Sequence, residues 1–368
     1  MATRLDETTN ADNLIELHKR LELRGFESSL LQIRLKHNEE ATVLQQHLSH
    51  VYDPEKDDSP ERIYPHMLPT QTSGRWSTTN PPLTNFPDDI RDVIWPDPGW
   101  PWIVWDLDAI EGKIVAAYTH DRDDLDAFNK NYDVHLITGC RMSKMELPSI
   151  LTKEIHTSDK PEAVEWRKRY GWKGEYDKRR IAAKARYGLL YGRDHRAILG
   201  SKYYRILAQS GLTHNEILKA SKAFLDSKPN LISIRRKYWD QCARTNEART
   251  ILGRRRRLFG DYWSRAKEGW NHMVQGLVVD MSNLAIIDLC QPPNRLIAQA
   301  HDGVKVAVPH GELIAQSTGL QQMGLGVVLP IKDRFKQSVE RVWEIEGEKI
   351  ISTASWAIYY PDGTHGKF

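Results

Sequence analysis

Leucines at helical spacing open the chain. Residues 11–51 carry leucines three and four positions apart, and this spacing predicts one or two amphipathic helices. Residues 52–101 lack that period and are rich in Pro, Asp, Ser and Thr. We expect there a long irregular segment with short strands, and long segments of this kind usually carry function.

The middle of the chain, from about residue 124 to 261, is predicted to be mostly helical. Its clearest helix start is Thr213-His214-Asn215-Glu216, a capping box in which the Thr and Glu side chains satisfy the first backbone N–H groups. The apolar run that follows is closed by Pro229, a residue that favours a helix stop. Residues 270–290 are predicted to form another helix.

Two further segments are predicted to contain strands that end on an acidic residue. Residues 102–118, WIVWDLDAIEGKIVAAY, indicate a strand and then a helix, and the apolar start of the strand stops at Asp106. Residues 295–308 alternate apolar and polar around His301-Asp302-Gly303, which predicts a hairpin. The tail after residue 330 is mixed and gives no clear prediction.

The distribution of charge suggests a class of partner. The net charge is only +3, yet residues 152–272 hold 29 Lys and Arg against 13 Asp and Glu, or +16, which leaves −13 for the remainder. A basic segment in an acidic setting favours a polyanion, because each Lys or Arg placed on a phosphate releases counterions. A solvated helical surface is the alternative explanation.

Cysteine spacing and hydropathy limit the class of protein. Cys140, Cys242 and Cys290 lie far apart without metal-site spacing, so we expect a reducing compartment and no disulfide framework. No apolar run approaches the roughly 18 residues of a membrane span, and MATRLDETTN does not resemble a signal peptide. We therefore expect a cytoplasmic protein without a membrane partner.

Asp106 and Asp302 form the first candidate constellation, since each is predicted to end a strand. Two carboxylates at one sheet edge would hold two divalent ions ~3.5–4 Å apart, an arrangement that promotes phosphoryl transfer. Mg²⁺ suits such a site because it takes hard oxygen ligands. The alternative for Asp302 is a simple turn, because Asp-Gly is a strong hairpin signal by itself.

A second constellation is YDKRRIAAKARYGLLYGRD, residues 176–194. On a helix, Arg179 shares one stripe with Tyr187, and Lys184 lies on the adjacent stripe. Cations beside an aromatic ring suit a triphosphate and a base or sugar. A basic surface helix with its tyrosine packed inward is the alternative.

Two shorter motifs carry little information alone. Residues 253–257, GRRRR, favour phosphate contacts or a solvated loop, and residues 72–77, TSGRWS, form a polar loop with one arginine.

Taken in order, these segments resemble DNA polymerases of family A, the bacterial polymerase I type. The segment TSGRWSTTNPPLTNFP (72–87) resembles the family's T-G-R-L-S-S…P-N-L-Q-N-I-P, and residues 106–139 resemble its motif A, D-Y-S-Q-I-E-L-R-V-L-A-H. Residues 179–192 resemble motif B, and QAHDGVKVAVP (299–309) resembles motif C, V-H-D-E. Between these two, ILGRRRRLF resembles the family's G-R-R-R and NHMVQG (271–276) its N-x-P-x-Q-G. The resemblance covers about residues 60–310, and the order of six segments makes it specific.

The resemblance implies an α+β fold, the right-hand polymerase architecture with an antiparallel-sheet palm, helical fingers and a truncated thumb. Residues 1–60 would be N-terminal helices left from the thumb, and 61–123 the first part of the palm with motif A. Residues 124–261 would be the fingers with motif B, and 262–368 the second part of the palm with motif C and a C-terminal tail. We expect no exonuclease in this chain, and low processivity unless a second chain supplies the missing part.

The resemblance also implies a role for each matching residue. Asp106, Asp302 and the backbone carbonyl of Leu107 would hold two Mg²⁺ ions, with Mn²⁺ as an alternative. Around the incoming nucleotide, the implied residues are Arg179 and Lys184 on the phosphates, Glu111 excluding a 2′-hydroxyl, Tyr187 packing on the nucleotide and Tyr191 guarding the templating position. Those implied to contact DNA are Arg75, Asn271, Gln275, His301, Arg254 and Arg255.

Three positions depart from the family pattern. Ala183 stands where the family has its catalytic lysine, and Lys184 follows it, a shift that rotates the side chain by about 100° on a helix. Gly303 replaces the glutamate of motif C, and Lys267 replaces an arginine. We expect reduced or retuned activity rather than none.

The sequence therefore predicts a template-directed DNA polymerase that extends a primer with deoxynucleotides in a bacterial host cell, with a phage or plasmid as alternative sources. A non-catalytic or partner-dependent nucleic-acid-binding subunit of a replication complex is the second hypothesis. A single-subunit RNA polymerase is the third, and Glu111 argues against it because a 2′-hydroxyl should be blocked there.

Overall fold

The computed structural model of the protein describes residues 63–69, 71, 73–86, 94–142, 145–169, 177–192, 214–300, 303–311 and 331–366. The helices predicted over residues 11–51 lie outside the described residues. The chain divides into two compact units, one made of residues 1–68 with 77–94 and the other of residues 69–76 with 95–368.

The smaller unit contains a short hairpin. Strands β1 (His66–Leu68) and β2 (Ser77–Thr79) pair antiparallel, and a 3₁₀ turn at Leu83–Asn85 follows. Phe86 is buried against Ile63, Leu83 and Ile94. Short strands were expected in this irregular segment, and the described part contains them.

A five-stranded antiparallel sheet lies at the centre of the larger unit. Across the sheet, its strands are His365–Gly366, Ala354–Tyr359, Trp102–Leu107, Gly303–Ala307 and Arg295–Ala300. Strand β3 (Trp102–Leu107) and the hairpin β6 (Arg295–Ala300) and β7 (Gly303–Ala307) match the sequence prediction. The tail supplies β10 (Ala354–Tyr359) and β11 (His365–Gly366). Strand β10 pairs directly with β3, so the segment without a clear prediction completes the central sheet.

Helices pack on this sheet and bury its apolar side chains. Helix α1 (Ile110–Tyr118) follows β3, as predicted, and is buried along most of its length. Trp105 of β3 is fully buried, with its ring centroid 6.1 Å from that of Phe335 and 5.9 Å from that of Trp356. Helix α1 and strand β3 therefore share one core with the C-terminal tail.

Most of the described part of the middle segment is helical, as expected. Its helices are α2 (Arg122–Asn129), α3 (Val134–Met142), α4 (Pro161–Arg169), α5 (Asp177–Leu190), α6 (His214–Asp226) and α7 (Pro229–Thr245), with a 3₁₀ turn at Lys153–His156. Asp121 caps α2 by accepting the Asp124 N–H at 3.2 Å. Pro229 is the first residue of α7, where its missing N–H costs nothing.

The arginine-rich segment differs from the expected helix or loop. Strands β4 (Glu247–Arg249) and β5 (Arg255–Arg257) form a hairpin, and Gly253 takes φ 91° in its turn. A positive φ is available to glycine at little cost, so the Gly-Arg sequence encodes a hairpin turn here.

The predicted helix at 270–290 is the end of a longer helical run. Helix α8 (Tyr262–Asn271) leads into a π-helical turn (His272–Gly276) and then α9 (Leu277–Leu289). The tail adds α10 (Ile331–Val339) and the hairpin β8 (Val342–Ile345) and β9 (Glu348–Ile351). None of the described helices is long and apolar enough to cross a membrane.

Candidate active site

Asp106 lies near the end of the central strand and is exposed, although Trp105 and Leu107 on either side are buried. Alternation along a strand places its carboxylate on the opposite face from these two side chains. Its partners in the neighbouring strands are Gly303 on β7 and Ser355 on β10. Asp106 is therefore presented at the sheet edge between two small residues.

The other predicted metal ligands are only partly described. Asp302 directly precedes Gly303 in the chain, and both it and His301 lie outside the described residues. Within the described part of the chain, no group of three or more His, Cys, Asp or Glu residues is arranged to hold a metal ion. The Asp106 carboxylate and the Leu107 carbonyl are hard oxygen donors, the class that Mg²⁺ prefers.

The turn after β3 is fixed to the C-terminal tail. The Asp108 carboxylate accepts a hydrogen bond of 2.8 Å from Ser355 Oγ and pairs with Lys153. The Asp108 N–H donates to the Thr353 carbonyl at 2.8 Å. Ser355 and Thr353 belong to the tail after residue 330, for which the sequence gave no clear prediction.

Lys113 on α1 forms hydrogen bonds with the same segment of the C-terminal tail. Its Nζ donates to the Ile351 carbonyl at 2.9 Å and to Thr353 Oγ1 at 2.8 Å. Burial lowers the pKa of Lys113 from 10.5 to about 8, against the opposing effect of nearby Asp108. The amine thus holds the β9–β10 connection onto α1, close to the turn that follows Asp106.

Glu111, in the first turn of α1, brings together two other residues that were predicted to lie in the site, Arg75 and Tyr191. Its carboxylate forms an ion pair with Arg75 and accepts a hydrogen bond of 2.6 Å from the Tyr191 hydroxyl. Burial raises the pKa of Tyr191 well above its usual value, and the neighbouring Glu111 charge raises it further. The phenol therefore remains a hydrogen-bond donor to Glu111 at neutral pH.

Helix α5 carries the predicted nucleotide-binding residues. Arg179 and Lys184 lie on this helix, and their side chains are outside the described part of the structure. Tyr187 is half-buried, with its ring centroid 5.4 Å from that of His135. Tyr187 thus packs partly inward, as in the alternative considered from the sequence, while remaining partly accessible.

A buried ion network anchors α5 to its neighbours. Arg186, which is 2% exposed, pairs with Asp124, and Lys228 binds the same carboxylate at 2.8 Å and also pairs with Asp121. Burial alone would raise the pKa of Asp124, but Arg186 and Lys228 hold it below its usual value. No local sequence pattern marks this network, because its members come from separate helices and connections.

The predicted DNA-binding arginines of the hairpin have internal partners. Arg254 Nε pairs with Asp280 Oδ1 at 2.5 Å, and Arg255 Nη2 pairs with Glu247 Oε2 at 2.5 Å. A Cβ built on Gly74 would lie 2.9 Å from Arg254 Nη1, so the loop that carries Arg75 packs directly against Arg254. The structure thereby brings the TSGR loop to the arginine-rich hairpin.

Asn271 and Gln275 lie at the π-helical turn, and both are half-buried. His272 between them is 3% exposed, and burial lowers the pKa of its imidazole. A Cβ on Gly276 would lie 3.2 Å from the His272 ring, so this glycine allows close packing. Single π-helical turns inside α-helices are frequent at functional sites.

Comparison with known proteins identifies the family. The sequence profile described as DNA polymerase family A matches residues 2–324. DNA polymerase I of Helicobacter pylori (strain ATCC 700392 / 26695) is 26% identical over 303 residues, covering 75% of this chain and 30% of the relative. The thermostable DNA polymerase I of Thermus aquaticus is 24% identical over 279 residues, covering 69% of this chain and 30% of the relative.

A solved structure shares the fold. The POL domain of Pol1 from M. smegmatis, in complex with DNA primer-template and dNTP, superposes with a TM-score of 0.66 at 21% identity, covering 97% of this chain and 56% of that one. The predicted α+β polymerase fold is thus confirmed. The chain spans about 30% of the length of these two curated relatives. Because the family profile covers most of its residues, this chain belongs to DNA polymerase family A.

Proposed function

We propose that the chain is a template-directed DNA polymerase that adds deoxynucleotides to the 3′ end of a primer. The observation that carries this proposal is the exposed Asp106 at the end of β3, directly across from Gly303, the chain neighbour of Asp302. Family membership supports the reaction type. The solved relative in complex with primer-template DNA and dNTP supports the substrates.

Asp106, Asp302 and the Leu107 carbonyl are the residues that would hold two Mg²⁺ ions, or Mn²⁺ in their place. Two such ions, when bound, activate the attacking 3′-oxygen and neutralise charge on the leaving pyrophosphate. The chain's own contribution is to present the Asp106 carboxylate and the Leu107 carbonyl at a fixed sheet edge, since β3 is held by strands on both sides. Positioning of this kind accounts for much of the rate in phosphoryl transfer.

Glu111 would form the wall of the sugar pocket and exclude a 2′-hydroxyl. Arg75 and Tyr191 hold its carboxylate from two sides, which makes the wall rigid. Tyr187 would pack on the nucleotide, and Arg179 and Lys184 would bind its phosphates. Contacts to the primer-template are proposed for Arg75, Asn271, Gln275, His301, Arg254 and Arg255.

The same assignment gives the subdomains of the proposed enzyme. The palm comprises residues 61–123 and 262–368, the fingers comprise residues 124–261, and residues 1–60 are assigned to the thumb.

Primer extension on a DNA template tests the proposal. We expect wild-type protein with Mg²⁺ and dNTPs to add templated nucleotides, and Asp106→Asn and Asp302→Ala to slow addition by at least about a hundredfold. Asp126→Asn is the matched control, because Asp126 is 62% exposed on α2 and, among the ion pairs described, pairs only with Lys130, the residue after that helix. Extension by Asp106→Asn at the wild-type rate would contradict the assignment.

Gly303 favours a second candidate function, a nucleic-acid-binding subunit that needs a partner chain. This residue offers no carboxylate where the family motif has one. Wild-type protein that binds primer-template but fails to extend it would support this second function.

A further inference from the structure

A lysine from the middle segment reaches the turn that follows Asp106. The Lys153 ammonium pairs with the Asp108 carboxylate, which also accepts a hydrogen bond of 2.8 Å from Ser355 Oγ. Ser355 is in turn the strand partner of Asp106, on β10 beside β3. Lys153 is 45 positions from Asp108 in the chain, so the packing of separate elements brings this cation close to the proposed metal ligand.

The 3₁₀ turn that begins with Lys153 is held in place from two directions. His156 Nε2, at the end of the turn, lies 3.2 Å from Asp133 Oδ2, and both side chains are 1% exposed. The Arg167 guanidinium of α4 donates to the Ile155 carbonyl at 2.6 Å. The backbone beneath Lys153 is therefore fixed, whereas its side chain is 56% exposed and accessible to a ligand.

Two ammonium groups lie within electrostatic range of the Asp108 carboxylate. Lys113 is affected by the charges of both Asp108 and Lys153, and it donates to the Ile351 carbonyl and to Thr353 Oγ1. Lys153 is the exposed member of the two. An ammonium group carries three donors, so Lys153 can keep Asp108 as an orienting partner and donate to an anion as well.

The proposed reaction places an anion on this side of Asp106. In an in-line displacement, the attacking 3′-oxygen and the leaving pyrophosphate lie on opposite sides of the reacting phosphorus. The residues implied at the primer end, His301 and Asp302, directly precede β7, which pairs with one side of β3. Asp108 is bonded to β10 on the other side, so the leaving phosphates would lie toward Lys153.

We propose that Lys153 is a further catalytic residue, a cation that binds the outer phosphates of the incoming nucleotide and neutralises charge on the leaving pyrophosphate. The inference rests on the proposed function and adds a residue from outside the helix that carries Arg179 and Lys184. The register of that helix supports it, because Ala183 stands where the family has its catalytic lysine. Lys153 acts through its charge, and no proton is transferred.

Nucleotide binding to a blocked complex tests Lys153 without turnover. The complex contains the protein, Mg²⁺ and a primer-template whose primer ends in a dideoxynucleotide, and the matching dNTP is titrated into it. We expect Lys153→Met to weaken dNTP binding about tenfold, as expected for the loss of one hydrogen bond to a charged group. Tripolyphosphate carries the phosphates without sugar or base, and its affinity as a competitor should fall by the same factor.

Two variants separate phosphate binding from a structural role. Lys153→Arg keeps the charge and should retain most of the affinity for both ligands. Lys130→Met is the matched control, because Lys130 is 54% exposed and pairs with the Asp126 carboxylate, as Lys153 pairs with Asp108. This control should leave both affinities unchanged.

The inference is overturned if Lys153→Met, folded as judged by thermal unfolding, binds dNTP as wild type does, or loses affinity for dNTP but not for tripolyphosphate. An equal loss in Lys153→Arg would also overturn it. Primer extension with an unblocked primer reports separately on the proposed function. Wild-type protein that shows Lys153-dependent binding without extending the primer would support the inference and contradict only the polymerase activity.

Discussion

The Tyr191 hydroxyl donates a hydrogen bond of 2.6 Å to Glu111 Oε2, although the two residues are 80 positions apart in the chain. Arg75 pairs with the other carboxylate oxygen, Oε1. Glu111 is thus held by groups from two distant segments, and its orientation depends on both. In the proposed enzyme, the selectivity against a 2′-hydroxyl depends on this orientation.

Tyr191→Phe is therefore expected to reduce discrimination between a dNTP and the matching NTP by about tenfold, since a hydrogen bond to a charged group contributes ~1.5–3 kcal/mol. Single-nucleotide incorporation with each nucleotide measures the ratio. Tyr262→Phe is the control, because it also removes one hydroxyl but leaves Glu111 untouched. An unchanged ratio in Tyr191→Phe would show that Arg75 alone fixes the carboxylate.

Gly192→Ala should be strongly destabilising, and Gly253→Ala only mildly so. Both glycines have similar positive φ values, 93° and 91°, so both substitutions carry a left-handed penalty of roughly 1–2 kcal/mol. At Gly192 the added Cβ would also overlap the Trp239 ring. At Gly253 no atom lies within 4 Å of the added Cβ. Denaturant unfolding of the two variants measures the difference.

A double variant tests whether overlap with the Trp239 ring causes the extra loss of stability in Gly192→Ala. Trp239→Ala combined with Gly192→Ala should lose less stability than the two single changes added together. Strict additivity would mean that the Trp239 ring is not the obstacle.

Asp124→Asn should lower the free energy of unfolding by about 3–5 kcal/mol, because it leaves Arg186 and Lys228 buried without their shared carboxylate. The matched change, Asp126→Asn on the same helix, removes an exposed pair with Lys130 and should leave the free energy of unfolding nearly unchanged, because solvent screens such pairs. Chemical denaturation at neutral pH compares them. Similar losses for both variants would contradict a buried network.

Lys113 should make the protein more stable as the pH rises from about 8 to 10.5. Burial lowers the pKa of Lys113 from 10.5 to about 8, so in this window the unfolded chain binds a proton that the folded one lacks. Stability then increases with pH, by up to ~3 kcal/mol for a difference of 10.5 − 8 = 2.5 in pKa.

The comparison of wild type with Lys113→Met isolates this contribution from other groups that titrate at alkaline pH. The difference in unfolding free energy between the two proteins should grow in favour of wild type across the window. A constant difference would mean that Lys113 titrates at its ordinary pKa in the folded protein.

Local sequence rules predicted the elements that depend on neighbouring residues. The strand that contains Asp106, the helix after it and the hairpin at 295–307 follow from alternation and turn residues within a few positions. The order of the motifs was sufficient to predict the family and the polymerase fold. The β4–β5 hairpin was missed, because two short strands and a glycine turn give too weak a period within an arginine-rich run.

The tertiary structure alone decided which groups meet. Ser355 lies beside Asp106 only because the C-terminal tail adds β10 to the edge of β3, and strand pairing over that distance has no local signal. Arg75 and Tyr191 reach Glu111 from two other segments. Gly192, just after α5, packs against the Trp239 ring of α7, which in turn meets the Trp263 ring of α8. The physical reason is that backbone conformation responds to adjacent residues, whereas side-chain contacts depend on how whole elements pack around a common core.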